Sequence, residues 1–128
     1  MKNRLLPLIL GLAILLAACS GSGGSASDSS AGKELFAQAV IGSQAGCAAC
    51  HSLEPGVVVI GPSLAGIGDR AGEVVAGQSA ADYLKESITA PDAHIADGFP
   101  ASIMPQEYTE ELSSEQIDQL VAYMLTLK

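Results

Sequence analysis

Residues 47–51 read Cys-Ala-Ala-Cys-His, and no other stretch restricts the fold of this chain so tightly. Two thiols three positions apart, followed at once by an imidazole, form the C-x-x-C-H pattern that attaches a c-type haem covalently. The reason is geometric. Both sulfurs can add to the two vinyl groups of one macrocycle, and the adjacent His51 then faces the iron as a nitrogen ligand. Two rival uses of the pair fit less well. A C-x-x-C redox pair belongs at a helix start after a strand in a βαβ pattern, and none is visible. A structural zinc site needs four ligands, and His94 and Cys19 are poor candidates to complete one.

The first thirty residues read as processing and tether. Lys2 and Arg4 precede an apolar stretch, Leu5 to Leu16. It is too short to span a bilayer comfortably, which takes about 20 apolar residues, and it has the form of an export signal. Its end, Leu16-Ala17-Ala18-Cys19, resembles the lipobox of bacterial lipoproteins. The resemblance implies a signal over 1–18 that is cut off and a lipid on Cys19. Ser20 to Ala31 is mostly Gly and Ser, a composition that cannot bury enough apolar surface to fold. The expected organisation is therefore signal 1–18, lipidated Cys and linker 19–31, and one domain over 32–128. The three cysteines are then all assigned: one for lipid and two for haem.

The charge excludes one class of partner. The chain has 6 Lys+Arg against 14 Asp+Glu and a net charge of −8. Binding nucleic acid needs a basic face, and this chain has none to offer. Loss of Lys2 and Arg4 with the signal would leave four cations against fourteen acids, or −10. Aromatics are only 4% of the chain and Trp is missing. A domain of this size with few large rings needs support, and a buried macrocycle would supply it.

An iron held by His51 needs a sixth ligand or an open face. Met104 stands in Ile103-Met104-Pro105, in a stretch broken by Gly98, Pro100 and Pro105, so a loop presents it. A thioether is a soft ligand, and His/Met ligation raises a haem potential. Met1 leaves with the signal, and Met124 falls on the periodic stripe of the last helix. His94, in a polar loop, is the other possible ligand, and an open site is the third possibility. An open iron with His94 as a distal acid or base would make the protein a peroxidase-like enzyme.

These residues resemble the class I cytochromes c. The resemblance covers residues 32–128 and implies an all-α fold of three to four helices around one covalent haem c. Gly61-Pro62-Ser63-Leu64-Ala65-Gly66 is similar to the family's G-P-x-L-x-G segment. By that match, the Pro62 carbonyl accepts the outer N–H of His51, which fixes the ring and raises its basicity. Arg70 stands where relatives place a propionate-binding Arg, and its planar fork suits a carboxylate. A narrower likeness, over Ala76–Ile88 and Phe99–Pro105, is to the cytochrome c domain of caa3-type oxidase subunit II. That subunit carries a copper domain and membrane helices ahead of its haem domain, where this chain has a lipid tether. Many relatives place a Trp or Tyr by the propionates, and Gln78 is a substitute donor in this reading.

Periodicity places a helix from Lys33 to about Ile41, with Leu35, Phe36, Ala39 and Val40 on one face. Ser79 to Asp82 and Ser113 to Gln116 resemble capping boxes that open two more helices. The first of these runs to about Thr89, before Pro91. In the last, Ile117, Leu120, Val121 and Met124 form the apolar stripe. Val57–Ile60 is read as extended loop. Phe36 and Tyr123 are the expected contact between first and last helices. Leu53, Ile60, Leu64, Ile67, Tyr83, Leu84, Ile88, Ile103 and Leu125 are the expected haem contacts.

The expected function is one-electron transfer in a respiratory or photosynthetic chain, without enzymatic activity. The protein is expected to be an exported monomer, tethered by lipid to the membrane and facing the periplasm or cell exterior. Its expected partners are a redox donor and acceptor there, such as a quinol-oxidising complex, terminal oxidase or photosynthetic reaction centre. Stable membership of an oxidase or dehydrogenase complex is the alternative to a mobile shuttle.

Overall fold

A Ser or Asp side chain caps three of the helices. The computed structural model describes residues 28–128; the signal, Cys19 and linker residues 20–27 lie outside them. Asp28 caps helix α1 (Ser29–Phe36), accepting from the Ser30 N–H at 2.8 Å. Ser79 caps α4 (Ala80–Thr89), and Ser113 caps α6 (Ser114–Met124). At Ser113 both halves of the capping box form: Ser113 Oγ accepts from Gln116 N–H, and Gln116 Oε1 accepts from Ser113 N–H. At Ser79 only half forms. Its Oγ accepts from Asp82 N–H, but the shorter Asp82 carboxylate accepts from the Ser79 hydroxyl instead of reaching the backbone. Each such cap contributes about 1 kcal/mol.

The remaining elements include one further two-turn helix. A two-stranded antiparallel hairpin pairs β1 (Val40–Ile41) with β2 (Gln44–Ala45). Then come the single-turn α2 (Cys47–Cys50), α3 (Ile67–Val74) and the single-turn α5 (Tyr108–Glu111). The architecture is all-α apart from the hairpin. Among the described residues no helix is long and apolar enough to cross a membrane.

The core forms where α1 crosses α6. Leu35 and Phe36 meet the Ile117, Leu120, Val121 and Met124 stripe, all buried. The Phe36 and Tyr123 rings stand 5.5 Å apart at 59°. A tilted pair of this kind adds about 0.5–1.5 kcal/mol beyond area burial. Gly32 permits the crossing, because any Cβ there would fall inside the Gln119 carbonyl.

The first helix differs from its expected span at both ends. It starts at Ser29, so residues 29–31 are helix and not linker, and it stops at Phe36. Asp28 supplies the earlier cap. Gly42, at φ +56, reverses the chain and commits β-branched Val40 and Ile41 to the hairpin. The α3 helix has a thin apolar face, with only Ile67 and Ala71 buried. It packs through its glycines: Gly68 N–H donates to Leu127 O at 2.9 Å, and Gly72 lies against Ala80. Val57–Ile60 is loop, as the sequence indicates.

Candidate functional site

Helix α2 is one turn long because the chain needs only one turn there. Gly46 enters it in extended geometry, and His51 leaves it extended, at φ −113 and ψ 126, while its N–H still donates to Cys47 O at 2.9 Å. That turn puts Cys47, Cys50 and His51 on one cavity of about 340 Å³, open to solvent on one side. Burial pushes the Cys47 thiol up to about 11.

The loop after the motif is strapped back onto it. Ile60 and Gly61 N–H groups both donate to Cys50 O, at 3.2 and 2.9 Å, and Leu64 N–H donates to Ser52 O. The Pro62 carbonyl consequently lies 2.9 Å from His51 Nδ1. A proton on Nδ1, assigned by that contact, leaves the Nε2 lone pair for a ligand. Gly61 is the feature that sequence reading did not single out. A Cβ there would stand 2.6 Å from His51 Cε1 and 2.9 Å from Nδ1. Its signal was present, as a Gly immediately before Pro62.

Met104 lines the same cavity from the loop joining α4 to α5. The loop is closed by Asp92, which accepts from Ser102 N–H at 2.9 Å (Oδ1) and from Ser102 Oγ at 2.9 Å (Oδ2). Ser102 sits at φ +59, a left-handed conformation that is rare for a residue with a Cβ. Two of its polar groups are spent on Asp92, two residues before Met104. Gln106 Nε2 then donates to Met104 O at 2.9 Å.

Met124 reaches the cavity as well, from the buried stripe of α6. His94 also lines it, yet its Nε2 is 3.1 Å from Glu86 Oε2 and its ring faces Tyr83. Arg70 lines the wall, with Nη2 donating to Ser63 O at 2.8 Å and Nη1 to Ala65 O. It braces the loop that carries Pro62. Gln78 does not reach the cavity. Its Nε2 donates to Glu86 Oε2 at 2.8 Å, so the donor role expected of it is not met.

The apolar wall includes Ile60, Leu64, Ile67, Tyr83, Leu84, Ile88 and Ile103, as expected, but not Leu53 or Leu125. Phe36, Leu120 and Met124 complete it from the helix crossing. Among the described residues no three His, Cys, Asp or Glu gather as a metal cluster. The cavity's candidate donors are instead two thiols on one turn, the imidazoles of His51 and His94, and the thioethers of Met104 and Met124. That set, within an apolar wall, fits a covalently attached macrocycle whose iron takes nitrogen and sulfur ligands. A family model for Cytochrome c matches residues 29–128. No curated protein matches the chain.

Proposed function

The chain belongs to the cytochrome c family and binds one covalent haem c, and from that premise we propose a membrane-tethered one-electron carrier whose iron is held by His51 and Met104. The haem supplies reversible one-electron reduction. The residues supply attachment, ligation and orientation. Cys47 and Cys50 would hold the macrocycle through thioether bonds to its two vinyl groups. His51 would offer Nε2 to the iron while Pro62 O holds Nδ1–H, which raises the basicity of the ring. The Asp92–Ser102 bridge holds the Met104 loop. Arg70, from the cavity wall, is the cation to meet a propionate.

The observation that carries the reading is one cavity lined by both thiols, His51 and Met104, with the outer His51 nitrogen 2.9 Å from Pro62 O. Two side-chain ligands leave the iron no position for a substrate, so carriage is favoured over catalysis. His94 adds no support to an enzymatic reading, because its Nε2 is engaged by Glu86.

Signal 1–18, the lipid on Cys19 and the short Gly/Ser stretch belong to the same proposal. They would hold the domain at the exported face of a membrane, toward the periplasm or cell exterior, within reach of a membrane-bound donor and acceptor in a respiratory or photosynthetic chain. Tethering raises the effective concentration near such partners. Intact mass and the oxidised spectrum of membrane-extracted protein test both parts. The expected result is a chain beginning at Cys19 with acyl and haem mass, and the weak far-red band of iron–sulfur ligation. A chain retaining residues 1–18 would overturn the tether, and a missing far-red band at neutral pH would overturn the Met104 ligand.

A further inference from the structure

Val57, Val58 and Val59 are 46%, 60% and 53% exposed. None of them lines the cavity that would hold the haem. Ile95 and Ile103, also exposed, do line it and mark its mouth. Three successive exposed valines form a ridge of a kind that soluble surfaces rarely present without a use. The ridge is also stiff. It is anchored by Val57 N–H to Glu54 O and by Ile60 and Gly61 N–H to Cys50 O. Ser63 Oγ donates to Glu54 O at 2.7 Å across its base. β-branched side chains have little rotamer freedom to lose on docking.

Charge decides what docks there. Glu54 belongs to the same loop, Asp92 lines the cavity beside Ile95, and Asp97 follows Ile95 by two positions. Of the described cations, Lys85 is paired with Asp118, Lys128 with Asp69 and Lys33 is in α1, while Arg70, the one near this loop, is spent on the Ser63 and Ala65 carbonyls at its base. A second copy would bring like charge to like charge, as would an anionic lipid surface. We infer that the Val57–Val59 ridge is the docking contact for a redox protein that offers an apolar patch ringed by Lys and Arg. The inference rests on the carrier reading and names the partner chemistry of that same site. Because Ile60 and Gly61 bind the Cys50 carbonyl, a partner on the ridge sits beside the attachment turn, where electrons can pass by a short route.

The test follows oxidation of the reduced full-length holoprotein by detergent-solubilised membranes of the source organism, at low and high salt. The triple variant Val57→Ser/Val58→Ser/Val59→Ser is expected to raise KM about tenfold with kcat unchanged, as expected for lost apolar burial. Glu54→Lys is expected to raise KM at low salt and to flatten its rise with salt. Both variants should keep the wild-type spectrum and midpoint potential, since these side chains touch neither ligand nor cavity. Unchanged KM in the triple variant overturns the docking site and leaves the carrier reading standing. A KM change with intact membranes that vanishes on solubilisation assigns the ridge to lipid and overturns the proposal. So does a wild type that sediments as a dimer while the triple variant is a monomer. Wild-type protein that the membranes do not oxidise at all overturns the carrier reading itself, and this inference with it.

Discussion

Replacing Gly61 with Ala tests how His51 is positioned. The backbone does not need glycine for its torsion, because Gly61 is not in the left-handed region, so the effect is steric. The new Cβ would meet His51 Cε1 at 2.6 Å and Nδ1 at 2.9 Å. Carbon atoms rest about 3.5–4.0 Å apart, so ring or loop must retreat by roughly 1 Å. That movement takes the Nδ1 to Pro62 O contact, 2.9 Å in the native protein, out of hydrogen-bond range. Overpacking of this kind costs about 1–3 kcal/mol, and the lost bond about 1 kcal/mol more. Denaturant unfolding of the oxidised holoprotein should therefore show a loss of about 2–4 kcal/mol. The reduction potential should also rise, because His51 without its acceptor is a weaker electron donor to the iron. Stability within about 0.5 kcal/mol of wild type, with an unmoved potential, would refute the idea that Gly61 exists to seat the imidazole.

Other consequences can be checked alongside it. Gly32→Ala should destabilise the α1–α6 crossing by about 3 kcal/mol or prevent folding, read by thermal unfolding, because its Cβ collides with the Gln119 backbone carbonyl. The Asp92 carboxyl is held below its ordinary value of 3.8, first by the Ser102 N–H and then by the Ser102 hydroxyl. Its folded pKa is depressed, so its contribution is present above about 4 and is lost as pH falls through the lowered value. Asp92→Asn should lower stability at neutral pH and flatten the acid side of the stability profile, with the far-red band lost at milder denaturant. Ser113→Ala should cost about 1 kcal/mol, read by denaturant midpoint, since it removes the capping box of the helix that carries the core stripe.

Much of the fold was legible because short local signals agree with tertiary packing. Ser79 and Ser113 announce their helices, and the stripe from Ile117 to Met124 is buried as its spacing requires. Phe36 meets Tyr123 as expected. Helix α3 escaped the periodicity reading because Gly68 and Gly72 pack by lacking side chains, which leaves little apolar pattern to detect. The hairpin escaped because Val40 and Ile41 fit a helix face as well as a strand until the reversal at Gly42 decides between them. At the site, the attachment motif is local and fully readable. The His51–Pro62 contact spans eleven positions and came only from family likeness. Gln78, expected as a donor, and His94, the alternative ligand to Met104, meet one shared partner. Glu86, a helix residue with no motif around it, gathers both, and only the fold brings the three together.

The Met104 methyl resonance in reduced holoprotein tests the central claim most directly. The methyl of a methionine whose sulfur ligates low-spin ferrous iron would lie over the ring and be driven far upfield of all others. Met124 also lines the cavity, from the α6 stripe, and serves as the internal comparison. The account predicts one such far-upfield methyl, lost in Met104→Leu and retained in Met124→Leu. Its absence from the native protein, or its survival in Met104→Leu, would contradict His51/Met104 ligation.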